Sequence, residues 1–220
     1  MSKGVLFENL LSNFAESVKR NFASNISAQP EDQLKKPVQE LIESEGKKRW
    51  PDILSRTETH IKDIEGRPDI GVEIRKLLCG YIELKAPGKG ARPERYKGSD
   101  KKQWEKFKAI PNLIYTDGSE WALYRTGKLA GETIKFKGDI TIDGDKAFSK
   151  EQSDALEALL KDFFLWDPIV PDSPRALAEM IAPLCRLLRD EVKISVSDSK
   201  SSLHQLFREW QDVLFPDADE

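Results

Sequence analysis

This 220-residue chain predicts a mixed α/β (α+β) core with a mixed β-sheet flanked by helices, followed by an all-helical extension. Three observations predict it. Helical periodicity dominates up to about residue 45, short β-like runs punctuated by Gly and Pro follow to about residue 125, and helical periodicity returns from Ser149.

Each element follows from local pattern. In residues 5–24, Phe7, Leu10, Phe14 and Val18 recur at helical spacing, giving one apolar face. Glu31–Glu43 repeats that logic with Leu34, Val38, Leu41 and Ile42, and Pro37 sits where a kink is expected. Thr57–Ile64, Asp69–Ile74 and Leu77–Ala86 are β-like, separated by Gly66 and Pro68, with Gly80 inside the third. Ala86–Lys102 reads as a basic Gly/Pro-rich loop, and Gln103–Ala109 as a short helix. Asn112–Thr116 and Trp121–Arg125 flank Asp117-Gly118, a hairpin signal. Lys150–Trp166, Pro174–Glu191 and Ser201–Leu214 read as helices, the second with Ser173 as N-cap and Pro174 at its first position. The expected division is therefore a core over 1–148 and a helical region over 149–220.

Composition narrows the class. Hydrophobic residues make up 39% of the chain, with five Trp and ten Phe, which excludes a disordered protein. No stretch approaches the ~20 apolar residues of a membrane span. Glu8, Asn13 and Glu16 interrupt what would be a signal peptide. Cys79 and Cys185 form no CxxC pair and are expected as buried thiols of a reduced, cytoplasmic protein. His60 and His204 are isolated, which argues against zinc. Charge is uneven. Lys85–Lys108 holds nine Lys/Arg against three Asp/Glu, whereas Asp139–Glu220 holds nine against eighteen. The first segment suits an anion, and the second a different role.

The residues that carry chemistry are Pro68-Asp69 and, fourteen positions later, Glu83-Leu84-Lys85. On a strand, residues i and i+2 share a face, so Glu83 and Lys85 project together and Leu84 points into the core. Pairing of the Asp69 and Glu83 strands brings two carboxylates and an ammonium together. Two close carboxylates repel unless a cation lies between them, and Mg²⁺ suits an oxygen-lined site that also takes phosphate. The Glu-x-Lys pattern is not unique, because Glu45-Gly46-Lys47 and Glu191-Val192-Lys193 repeat it, the latter with an upstream Pro171-Asp172. Only Asp69 and Glu83 both lie in β-like runs. A strand with a solvated charged face remains the alternative on pattern alone.

RPDIGV…GYIELKAPGKG resembles the PD-(D/E)xK nucleases, over roughly residues 30–126. Gln103-Trp104-Glu105-Lys106-Phe107 is similar to the Q-x-x-x-Y motif of RecB-like members, with Phe in the place of Tyr. NLIYTDGSEWALYR resembles a hairpin of nuclease domains that begin large single-chain restriction–modification enzymes. The resemblance implies a restriction-endonuclease-like core and a prokaryotic, cytoplasmic, Mg²⁺-dependent endodeoxyribonuclease in which Mn²⁺ substitutes. It implies Asp69, Glu83, Lys85 and Gln103 as catalytic residues and Asp69, Glu83 and Glu31 (with Asp32 next) as metal ligands. Double-stranded DNA is the expected partner, contacted by Lys89, Arg92, Arg95, Lys97, Lys101 and Lys102. Trp104 and Trp121 are expected in the core, and Tyr96 to stack or pack.

The C-terminal helices resemble the spacer that joins nuclease to methyltransferase in such enzymes, implying methyltransferase or specificity domains as partners. The chain itself has no methyltransferase signature and no GxxxxGK[ST]. Double-strand cleavage by a single site implies a transient dimer. A non-cleaving DNA-binding or scaffold module on the same fold is the alternative, and an adaptor built on the acidic helices is a third reading.

Overall fold

Six strands pair strictly in chain order in the computed structural model of the protein, which describes residues 3–24, 29–57, 68–75, 77–165 and 174–214. The strands are β1 (Leu54–Thr57), β2 (Ile70–Ile74), β3 (Leu77–Leu84), β4 (Leu113–Thr116), β5 (Glu120–Arg125) and β6 (Lys128–Lys135). All neighbours are antiparallel except β3 and β4. A parallel pair needs a crossover, and α3 (Gly98–Phe107) supplies it. His60, Pro171-Asp172, Ser173 and most of the strand expected over Thr57–Ile64 lie outside the described residues.

Alternation along the strands sorts two hydrophobic clusters. Ile82, Leu84, Ile114, Trp121 and Leu123 face a large core shared with α1 (Lys3–Phe22), α2 (Pro30–Gly46) and α5 (Lys150–Phe164). Tyr81, Leu113, Tyr115, Ala122 and Tyr124 point the other way, against Trp104 and Phe107 of α3. Since Glu83 and Lys85 are in phase with Tyr81, they belong to the α3 side. Both Trp104 and Trp121 are buried, as expected, and so is Tyr96. The α2 helix is continuous through Pro37.

Three expectations are corrected, and one further strand joins the sheet. The chain divides into compact units Met1–Trp166 and Asp167–Glu220, not at 148/149. The α5 helix explains the shift: Leu156, Leu160 and Phe163 are buried in the sheet's own core. It starts at a capping box of Ser149 and Gln152. Helix α3 begins at Gly98, so Lys101 and Lys102 are helical, not in the loop. Strand β6 was not expected, because its exposed edge carries few apolar residues. It follows β5 through Thr126-Gly127, both at positive φ (49° and 77°), as a type I′ turn demands. Cys79 is buried but Cys185 is exposed.

The second unit contains α6 (Pro174–Ser197) and α7 (Ser202–Leu214), which contact each other. No residue of α7 is buried, and Leu206, Phe207 and Trp210 are exposed. Among the described residues, no helix is long and apolar enough to cross a membrane.

Candidate active site

Asp69, Glu83, Lys85 and Gln103 meet where β2 begins and β3 ends. The antiparallel register pairs Ile70 with Ile82, which sets Asp69 beside the end of β3. The Leu84 backbone N–H donates to Asp69 Oδ2 at 2.9 Å. Lys85 Nζ donates to Glu83 Oε1 at 2.7 Å and to Gln103 Oε1 at 2.7 Å. Asp100, on the first turn of α3, lies 3.7 Å from the same ammonium. Strand alternation thus fixes two of the groups, the strand pairing a third and the crossover helix the fourth.

The cluster is largely removed from water: Glu83 is 2% exposed and Lys85 5%. Burial disfavours the charged carboxylate, and nearby Asp69 adds repulsion. Against both, Lys85 and Gln103 favour the anion, and the balance leaves Glu83 pushed up to about 7. Asp69 is raised as well, chiefly by burial, with the Leu84 amide, Lys35 and Lys85 opposing and Glu31 reinforcing.

Glu83 Oε2 is buried and makes no hydrogen bond. An orphaned carboxylate oxygen in a dry site is costly, and a cation would satisfy it. The donor set fits a hard, oxygen-seeking ion such as Mg²⁺: Asp69 and Glu83 supply two carboxylates, and phosphate and water can complete the shell. Glu31 lies on the first turn of α2 with Oε1 accepting from the Ala86 N–H at 3.1 Å. Its charge reaches Asp69. Asp32 is instead paired with Lys35 at 2.7 Å. No group of three or more His, Cys, Asp or Glu side chains able to hold a metal occurs among the described residues.

Three groups escaped the sequence reading. Lys35 Nζ stands 3.7 Å from Asp69 Oδ1; its place one turn after Glu31 on the same helix face was the available signal. Tyr115 is the register partner of Glu83, and its buried hydroxyl is also without a hydrogen bond. Strand alternation in β4 could have put it beside Glu83. Asp117, read only as a turn residue, organises the loop after β3. Its Oδ2 accepts from the N–H groups of Gly88 (3.1 Å) and Gly90 (2.7 Å), while Oδ1 accepts from Ser119 and Glu120. Glu120 Oε1 accepts from the Ala91 N–H.

The basic residues of that loop and of α3 divide into two groups. Lys89 pairs with Asp100 at 2.5 Å and Arg92 with Glu94 at 2.6 Å. Arg95, Lys97, Lys101 and Lys102 are exposed. The loop is thus a tethered element carrying exposed cations, adjacent to the carboxylate cluster through Asp100.

No family model and no curated protein sequence matches the chain. Among solved structures, the cryo-EM structure of a DrdV–DNA complex is similar to it, with a TM-score of 0.53 and 17% sequence identity. The match covers 87% of this chain and 18% of that one, so the chain spans a small part of that protein's length. The likeness is one of fold.

Proposed function

We propose that this chain is a Mg²⁺-dependent DNA endonuclease module of the PD-(D/E)xK type, with Asp69, Glu83 and Lys85 at the cleavage site. The observation that carries this reading is the Asp69/Glu83/Lys85/Gln103 cluster, with Glu83 and Lys85 buried and one carboxylate oxygen left unsatisfied. A surface strand with a solvated face would not bury Glu83 and Lys85. The fold likeness to a protein solved on DNA supports the choice of substrate.

When bound, Mg²⁺ would polarise a phosphoryl oxygen and lower the pKa of a ligated water. Asp69 and Glu83 would hold the ion, and Glu31 would add negative potential from α2. Lys85, positioned by Gln103, would offset the charge that builds on the phosphate as water adds to phosphorus and the leaving oxygen departs. Lys35 supplies a second cation on the Asp69 side. The exposed cations Arg95, Lys97, Lys101 and Lys102 would contact the phosphate backbone.

A second reading is a non-cleaving DNA-binding module on the same fold. One experiment separates the two. Plasmid nicking in Mg²⁺ or Mn²⁺ is assayed alongside calorimetric Mn²⁺ titration for wild type, Asp69→Ala, Glu83→Ala and Lys85→Ala. The nuclease reading expects nicking in wild type alone, and Mn²⁺ binding lost with either carboxylate. DNA binding without nicking or Mn²⁺ uptake in the wild type would establish the second reading. The helical unit Asp167–Glu220, with its exposed α7 face, is assigned on the same reading to coupling with methyltransferase or specificity domains, and a transient dimer to double-strand cleavage.

A further inference from the structure

Next to the carboxylate cluster lies an open groove of about 420 Å³. One wall is the loop after β3, presenting Lys89, Arg92 and Arg95. The opposite wall is the end of β6 and the segment after it, presenting Lys135 and Lys137. We propose that this groove seats the sugar-phosphate backbone of duplex DNA flanking the cleavage site, with Lys135 and Lys137 as its second row of phosphate contacts. The proposal rests on the nuclease reading and adds residues far in sequence from the basic segment 85–108.

Three observations carry it. First, both walls are fastened to the same β4–β5 turn. Asp117 and Glu120 hold the amides of Gly88, Gly90 and Ala91. Across the groove, the Phe136 N–H donates to the Ser119 carbonyl at 2.9 Å and the Ile140 N–H to Ser119 Oγ at 3.3 Å. A groove built in advance avoids the ordering cost of a floppy loop.

Second, the charge balance favours an anion. Five cationic side chains line the groove against Asp117, Glu120 and Asp139. Asp117 spends both oxygens on backbone amides, and Asp139 accepts from the Thr141 N–H as the cap of α4 (Ile140–Asp143). Glu120 is nearly buried, bonded to the Ala91 amide and 3.9 Å from Lys135. The Lys135 side chain is 75% exposed, and Lys137 is exposed as well. The acids thus serve the framework, Lys89 and Arg92 are paired with Asp100 and Glu94, and Arg95, Lys135 and Lys137 face solvent.

Third, the groove joins the cluster. Asp100 stands 3.7 Å from Lys85 and 2.5 Å from Lys89, so one carboxylate links the proposed cleavage site to the groove wall. A backbone leaving the cluster past Lys89 enters between the two rows.

The test is fluorescence anisotropy of a labelled duplex in Ca²⁺, which occupies oxygen sites, over a salt series. Wild type is compared with Lys135→Ser/Lys137→Ser. A control, Lys128→Ser/Lys150→Ser, removes equal charge, one lysine at the far end of β6 and one at the start of α5. Far-ultraviolet circular dichroism verifies that all three fold. The slope of log K against log salt is expected to fall by about 1.8 in the first variant, two contacts at ~0.9 each, and to stay put in the control. An unchanged slope in the first variant, or an equal fall in the control, overturns the groove while leaving the nuclease reading intact. If wild type binds no duplex at any salt, both readings fall together.

Discussion

Two buried acidic residues in the first unit are each 2% exposed, Glu83 at the end of β3 and Asp117 in the β4–β5 turn, yet their surroundings differ. Asp117 receives four backbone N–H groups, two on each oxygen. Glu83 has a lysine on one oxygen and nothing on the other. A carboxylate with every lone pair engaged by amides is architecture, since anything added would have to break a bond. A carboxylate left half satisfied costs stability in the folded protein and has room for a ligand.

Mutating both positions probes that contrast most forcefully. Glu83→Gln should lower nicking by about a thousandfold, the scale of losing one well-placed electrostatic group, while its urea midpoint stays near wild type. Asp117→Ala should do the reverse. It strands amides of Gly88 and Gly90 and costs roughly 3 kcal/mol of stability, read from urea unfolding, with the folded fraction still nicking DNA. Equal stability losses at the two sites would erase the distinction.

The next effect couples protons to the ion. Glu83 titrates near 7 in the folded chain against an ordinary value of 4.5. Its stability contribution is therefore full below pH 4.5 and lost as pH rises through about 7. Added Mg²⁺ should oppose that loss, raising stability by about 2.7 kcal/mol at a hundredfold excess over its Kd. The gain should appear at pH 8, shrink by pH 6 as the proton competes, and vanish in Glu83→Gln. Thermal melts across that pH range check it, and a Mg²⁺ gain independent of pH would remove Glu83 from the ion's shell. The smallest effect concerns Lys35. Its replacement by Ala should slow nicking about tenfold, on the scale of one partly solvated charge, with little change in melting temperature.

Local pattern made much of this architecture legible. The Asp117-Gly118 hairpin, the pairing of the Asp69 and Glu83 strands and the placement of Leu84 in the core follow from period and turn chemistry. What escaped is what depends on contacts distant in sequence. Nothing near Asp117 announces that it binds amides 27 and 29 positions earlier. Lys35 looks like any surface lysine until β2 arrives beside it. The apolar stripe of α5 reads the same whether it covers this sheet or a separate bundle, so the boundary at 148 fell short of Trp166. β6 is a polar edge strand, recognisable only once β5 offers it a partner.

The involvement of α5 has a consequence for synthesis. Strands are laid down in the order in which they pair, so each can join its neighbour as it leaves the ribosome. Helices α1 and α5 nevertheless contact each other across the core, and Phe7, Leu11, Leu156 and Phe163 are buried in a single cluster. The first helix to emerge waits for one of the last of its unit, and until about residue 164 is out its apolar face stays partly uncovered. A nascent chain stalled before α5 should accordingly be a client for chaperones, while one stalled well beyond it should resist protease.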